Sequence, residues 1–244
     1  MSPIMQYWTS FPIPIWDTTV RMASTAPNVD LSPLRISVQP TSRLIRLVVG
    51  LVLYGTSMAF MVRAGLGLGP WDVLHHGLAR LIGWTFGAVT ALTGAVVLLL
   101  WVPLRQRPGI GTVANVVVIA MSVDLALAVT PAPAAFGWQL LMMIGSVVLN
   151  GFATALYVGA RLGPGPRDGL MTGLHARTGW SVRVVRTGIE ITVLAVGWIL
   201  GGTAGLGTVV YALAIGPVTQ FFLPRVVISR KKISGTRDIS STTK

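Results

Sequence analysis

The chain has 244 residues, of which 52% are hydrophobic and 11% charged, with a mean hydropathy of +0.71; this excludes an ordinary soluble domain and fits an integral membrane protein. Its net charge of +12, from 19 Lys+Arg against 7 Asp+Glu, would suggest nucleic acid for a soluble chain, but the cations lie between apolar runs and in the tails, which argues for a lipid bilayer and no nucleic-acid partner. With no cysteine, disulfides, thiolate metal sites and thiol catalysis are excluded.

Residues 1–41 carry Pro3, Pro12, Pro14, Pro27, Pro33 and Pro40 among polar residues and read as a flexible cytoplasmic tail, with Met22 as an alternative start. The first predicted span runs from about Leu44 to Val62, near the roughly 20 residues a 30 Å bilayer core requires. A glycine-rich turn follows, then a short amphipathic helix from Pro70 to Ile82, with Trp71, Leu74, Leu78 and Leu81 on one face and Asp72, His76 and Arg80 elsewhere. The second span is Phe86 to Leu104, and the third is opened by Gly109-Ile-Gly-Thr112, with Thr112 as N-cap, and ends near Val129. The fourth span, Leu140 to Val158, leads to a second glycine-proline turn and a short helix ending near Arg177. The fifth runs from Val182 to Leu200 and the sixth ends near Leu223, before a basic tail over 226–244.

The chain contains itself twice. Residues 50–127 slide onto 146–223 without a gap, so that Gly65-Leu-Gly-Leu-Gly-Pro-Trp-Asp is answered 96 positions later by Arg161-Leu-Gly-Pro-Gly-Pro-Arg-Asp, and Gly109-x-Gly-Thr by Gly205-x-Gly-Thr. Each copy holds three spans, an odd number, so the second must enter the membrane from the opposite side. The expected fold is an all-α membrane protein of six transmembrane helices in a 3+3 inverted repeat, residues 42–130 and 138–225, each half with a short amphipathic or re-entrant helix. The positive-inside rule agrees: Arg43, Arg46, Arg105, Arg107, Arg161, Arg167, Arg177 and Arg183 fall on one side and only Arg63 and Arg80 on the other, which puts both termini in the cytoplasm.

These paired motifs, with Gly165-Pro-Arg-Asp-Gly-Leu-Met, resemble the YczE-like branch of the YitT-type bacterial membrane proteins over about residues 42–225. The resemblance implies a multi-pass protein of the bacterial cytoplasmic membrane. The YitT-type proteins proper carry a soluble C-terminal domain, and the short tail after the last span favours the YczE-like branch.

For function, the repeat predicts a secondary transporter of a small polar or anionic solute; the alternative is a non-transporting scaffold or regulatory protein. No catalytic constellation or cofactor motif is evident, so no enzyme activity and no cofactor are expected. Asp72 and Asp168, with the open backbone of Gly67, Gly69, Gly163 and Gly165 and the adjacent Arg167, are candidates for a site at two helix N-termini; each Asp capping its own helix is the other reading. Asp124 and Glu190 are carboxylates inside spans, and Arg186 stands one turn before Glu190 as an ion-pair partner. His75, His76 and His175 make a weak metal set, so no metal is expected; Trp84 and Trp180 fit an interfacial aromatic belt.

Overall fold

The computed structural model describes residues 39–227. The expected tail before residue 39, the alternative start at Met22 and the basic tail beyond 227 lie outside the described residues. Eight helices follow in order: α1 (Pro40–Ala64), α2 (Pro70–Ile82), α3 (Phe86–Leu104), α4 (Ile110–Val129), α5 (Phe136–Gly159), α6 (Pro166–Thr178), α7 (Val182–Ile199) and α8 (Leu206–Val226), and there is no strand among the described residues.

Prolines and glycines set the helix ends. Pro40, read from sequence as part of the tail, occupies the first turn of α1, where its missing N–H is no loss. Pro70 and Pro166 do the same for the short helices, which end at Gly83 and Gly179 in the left-handed region. Thr112 is not the N-cap of α4, as expected, but lies inside its first turn. Gly109 is the N-cap, and the Thr112 hydroxyl accepts its N–H at 3.1 Å; Thr208 serves Gly205 identically at 3.1 Å. A threonine three residues in reaches back to a donor that a side-chainless cap leaves open.

Five helices, α1, α3, α4, α5 and α8, are long and apolar enough to cross a membrane. The expected fifth span, α7, has 18 residues but carries Arg183, Arg186 and Glu190.

The centre is the pair α1 and α5, which run antiparallel. Asn150 donates to Ser57 at 2.8 Å, Ser146 to the Met61 sulfur at 3.0 Å, and the Arg43 guanidinium to Ala160 O at 2.9 Å and Arg161 O at 2.8 Å, so numbers rise along one helix as they fall along the other. α4 packs on α1 and α8 on α5, each at a glycine. A Cβ on Gly55 would stand 2.7 Å from Ser122, and one on the equivalent Gly151 would stand 2.5 Å from Val218, the counterpart of Ser122. With lipid as apolar as leucine, such close backbone approach is what holds membrane helices together.

The short helices cross between the halves: α2 lies on α7 and α6 lies on α3. Bulk is exchanged between these two equivalent contacts. Val73 and Leu74 of α2 press on Gly197, whereas Trp101, at the position of Gly197, presses on Gly169, at the position of Val73. Trp101 also donates its indole N–H to Pro166 O at 3.0 Å. α3 packs along α4, but α7 and α8 form no comparable contact.

Candidate functional site

Each glycine-rich turn is clasped by the start of the last helix of the other copy. Gly67 and Gly163 have φ of 117° and 135°, conformations that suit glycine alone. Gly207 N–H donates to Leu66 O at 2.8 Å, and Gly111 N–H donates to Leu162 O at 3.1 Å. The Thr112 hydroxyl adds a bond to Pro164 O at 2.7 Å.

So held, the turns bring the first turns of α2 and α6 together. The Arg167 guanidinium lies 3.6 Å from Asp72 Oδ1, and its Cζ is 4.9 Å from the centre of the Trp71 ring. Trp71 and Arg167 are equivalent positions of the two copies, so the repeat meets itself through a cation–π contact.

The two equivalent aspartates have different neighbours. The Asp168 carboxylate lies at the start of its own helix beside Tyr157: a Cβ on Gly165 would stand 3.2 Å from Asp168 Oδ2 and 3.4 Å from the Tyr157 hydroxyl. Asp72 is 5% exposed, and its Oδ1 has no hydrogen bond; beside it stand Arg167 and His75 Nδ1, the latter at 3.5 Å. His75, 1% exposed, is within 3.3 Å of the Thr90 hydroxyl, which donates to Phe86 O at 2.8 Å. The expected polar face of α2 is therefore partly interior: Asp72 is buried while Leu81, assigned to the apolar face, is exposed. The helix is covered by α7, α3 and the central cluster, so its own periodicity does not choose its buried side.

A belt of hydroxyls and amides completes the cluster. Tyr211 donates to Asn150 Oδ1 at 3.1 Å, Asn150 donates to Ser57, and Ser57 donates to Tyr54 O at 2.6 Å. The Tyr54 ring meets that of Tyr157 edge to face at 6.1 Å. Sequence reasoning missed these residues. The available signal was register: Tyr54 aligns with Asn150, and Tyr211 with Asn115, polar groups at matching positions of apolar spans.

Of the ten candidate residues, Asp72, Asp168, Arg167, Gly67, Gly69, Gly163 and Gly165 converge here. Arg186 and Glu190 form the expected i, i+4 pair, Nε to Oε1 at 2.9 Å, on a face whose side chains are 51% and 32% exposed. Asp124 lies apart. It accepts Gly87 N–H at 2.7 Å and the Thr85 hydroxyl at 2.6 Å, anchoring the start of α3 from α4. Asp124→Asn, which removes one acceptor, is expected to lower stability by about 0.5–2 kcal/mol, as for loss of a helix cap, without altering the central cluster; thermal unfolding in detergent checks it. His76 receives the Thr203 N–H at 3.3 Å and His175 lies against Trp180 O, and no group of metal-binding side chains occurs among the described residues.

A chain whose described residues form eight helices, five of them apolar and of bilayer length, organised about a buried polar junction of two short helices, is a membrane protein. It belongs to a family of unknown function, DUF6198, which matches residues 41–224. The chain is 41% identical over 177 residues to an uncharacterized protein of Haemophilus influenzae, covering 72% of this chain and 81% of that one. It is 35% identical over 175 residues to the uncharacterized membrane protein YczE of Bacillus subtilis, covering 71% and 81%. An uncharacterized protein of the same organism, YyaS, is 24% identical over 193 residues, 78% of this chain and 95% of that one. No solved structure matches. The expected kinship to YczE-like proteins therefore holds.

Proposed function

We propose that this protein is a secondary transporter of a small polar or anionic solute, built as a 3+3 inverted repeat with α7 as its sixth span and with both termini in the cytoplasm of a bacterium. A wider kinship with YitT-type proteins belongs to the same proposal. The observation that carries it is the Arg167–Asp72 contact, which joins the beginnings of two equivalent short helices inside the protein. Charges placed there are costly unless they serve a solute path or a fixed ion pair, and helix starts present N–H groups to an anion. The antiparallel course of α1 and α5, equivalent helices, supports the inversion. At about 1.5 Å per residue the 18 residues of α7 reach about 27 Å, enough to cross with its first turns at the aqueous edge.

The test is efflux. Proteoliposomes loaded with a bacterial cytosolic extract are expected to lose one or a few small polar solutes at least tenfold faster with the wild type than with the Asp72→Asn/Arg167→Gln double variant, read by mass spectrometry. Equal retention in wild type, variant and protein-free vesicles would remove the transporter and leave the scaffold reading.

A further inference from the structure

The two halves part company at one helix pair. In the first, α3 turns two glycines toward α4: a Cβ on Gly87 would overlap the Ala120 carbonyl and the Asp124 carboxylate, and one on Gly94 would stand 3.0 Å from Val116. The equivalents on α7 are Arg183 and Glu190, and those on α8 are Ala212, Gly216 and Gln220. Long charged side chains cannot occupy a contact shaped for glycine, and α7 and α8 indeed do not pack together; a Cβ on Gly216 would meet nothing within 4 Å. α7 is held farther along the same face, by α2 at Gly197.

Arg186 stands on this parted region of α7. Its side chain is half exposed and bound to Glu190, yet it is close enough to the polar cluster to interact electrostatically with Asp168 and Tyr211. Glu190 lies eight residues beyond the start of α7, about 12 Å along it, so the charges extend from the helix end into the span.

We infer that the parting between α7 and α8 is the route by which solute reaches the Asp72–Arg167–Asp168 cluster, and that Arg183 and Arg186 on its wall select solutes bearing a carboxylate or phosphate group. The inference rests on the transporter reading. Two guanidinium groups outnumber the one carboxylate, so the wall attracts anions, and a low-dielectric cleft focuses that field. An anion passing Arg186 comes next to Arg167 and the starts of α2 and α6. The equivalent pair, α3 and α4, is closed by its glycines and by the Asp124 bonds to Thr85 and Gly87, so access is from one side of the membrane only, the cytoplasmic side of the proposed topology.

Because the chain lacks cysteine, single thiols test this directly. Gly216→Cys and Ala212→Cys are expected to react with membrane-impermeant methanethiosulfonates added from the cytoplasmic side. After normalisation to a free thiol, the anionic ethylsulfonate reagent should react faster than the cationic trimethylammonium reagent. That preference should fall at least threefold in Arg186→Gln and persist in Arg186→Lys, with all variants eluting as wild type on size exclusion. Ala120→Cys, the α4 equivalent of Gly216→Cys, should stay unreactive. Unreactive thiols on α8, reaction only as a disulfide between two copies, or a preference unchanged by Arg186→Gln would each overturn the inference. Efflux persisting with an unreactive Gly216→Cys removes the route alone, whereas reactive thiols without any efflux remove the transporter and the route with it.

Discussion

Arg167→Gln is expected to lower stability by about 2–4 kcal/mol, and adding Asp72→Asn to restore most of that loss while leaving the protein inactive. Breaking a buried ion pair leaves a carboxylate out of water without its counter-charge, which costs about 3–5 kcal/mol when both partners are fully buried; here the Arg167 side chain retains 26% exposure, which moderates the figure. The two aspartates would not suffer equally. Asp168 keeps the neighbouring Tyr157 hydroxyl and the field of Arg186. Asp72 would keep only His75, 3.5 Å away, for an oxygen that already accepts no hydrogen bond. Asp72→Asn alone should fall between the other two, because Arg167 retains the attraction of Asp168. Thermal unfolding of the purified variants gives the order, and a double variant as unstable as Arg167→Gln would refute the ion-pair account. Recovery of stability without recovery of efflux would separate a solute-binding role from a structural one.

Helix ends were legible in the sequence because prolines and glycines act locally. Pro70 and Pro166 start their helices, and Gly83 and Gly179 stop them, whatever lies around them. The matching Gly-Pro turns were visible in the sequence too, and the Arg167–Asp72 contact shows that they lie together. What each face of a span touches was not. Along α3, Val97 and Trp101 are buried while Leu99 and Val102 are exposed, yet all four are apolar, since lipid and protein interior favour the same side chains. Hydropathy therefore marks a span without orienting it. The pairing of Arg167 with Asp72 depends on both clasped turns at once, and no single stretch of chain encodes it. For Asp124 the signal lay in the partner: a carboxylate little more than one turn from the end of α4 accepts the Gly87 N–H, which the first turn of α3 leaves unbonded. Conversely, the loss of α7–α8 packing could have been read from the replacement of Gly87 and Gly94 by Arg183 and Glu190, once the glycines were known to be contacts and not merely turns.

Gly67→Ala is expected to be among the most damaging single substitutions in the chain, at about 2–5 kcal/mol, whereas Gly65→Asn, two residues earlier, should cost less than about 1 kcal/mol. Both glycines have positive φ, 117° and 69°, so conformation alone does not separate them. Asparagine tolerates the left-handed region that Gly65 occupies, and a Cβ there would meet nothing within 4 Å. At Gly67 two costs add. The backbone lies outside the region a side chain accepts, worth about 1–2 kcal/mol, and the new Cβ would stand 2.7 Å from Gly205 N and 2.9 Å from its Cα, overpacking worth about 1–3 kcal/mol. The obstacle is backbone, which cannot swing aside as a side chain does, and moving it would pull Gly207 N–H from Leu66 O. That bond ties the first turn to α8, so the damage should extend to the placement of α2 and to the Asp72–Arg167 contact. Thermal unfolding and the monodisperse fraction after detergent extraction would measure the difference. If Gly67→Ala proved as mild as Gly65→Asn, the turn would be able to leave α8 at little cost, and a rigidly clasped junction could not be what positions the two short helices.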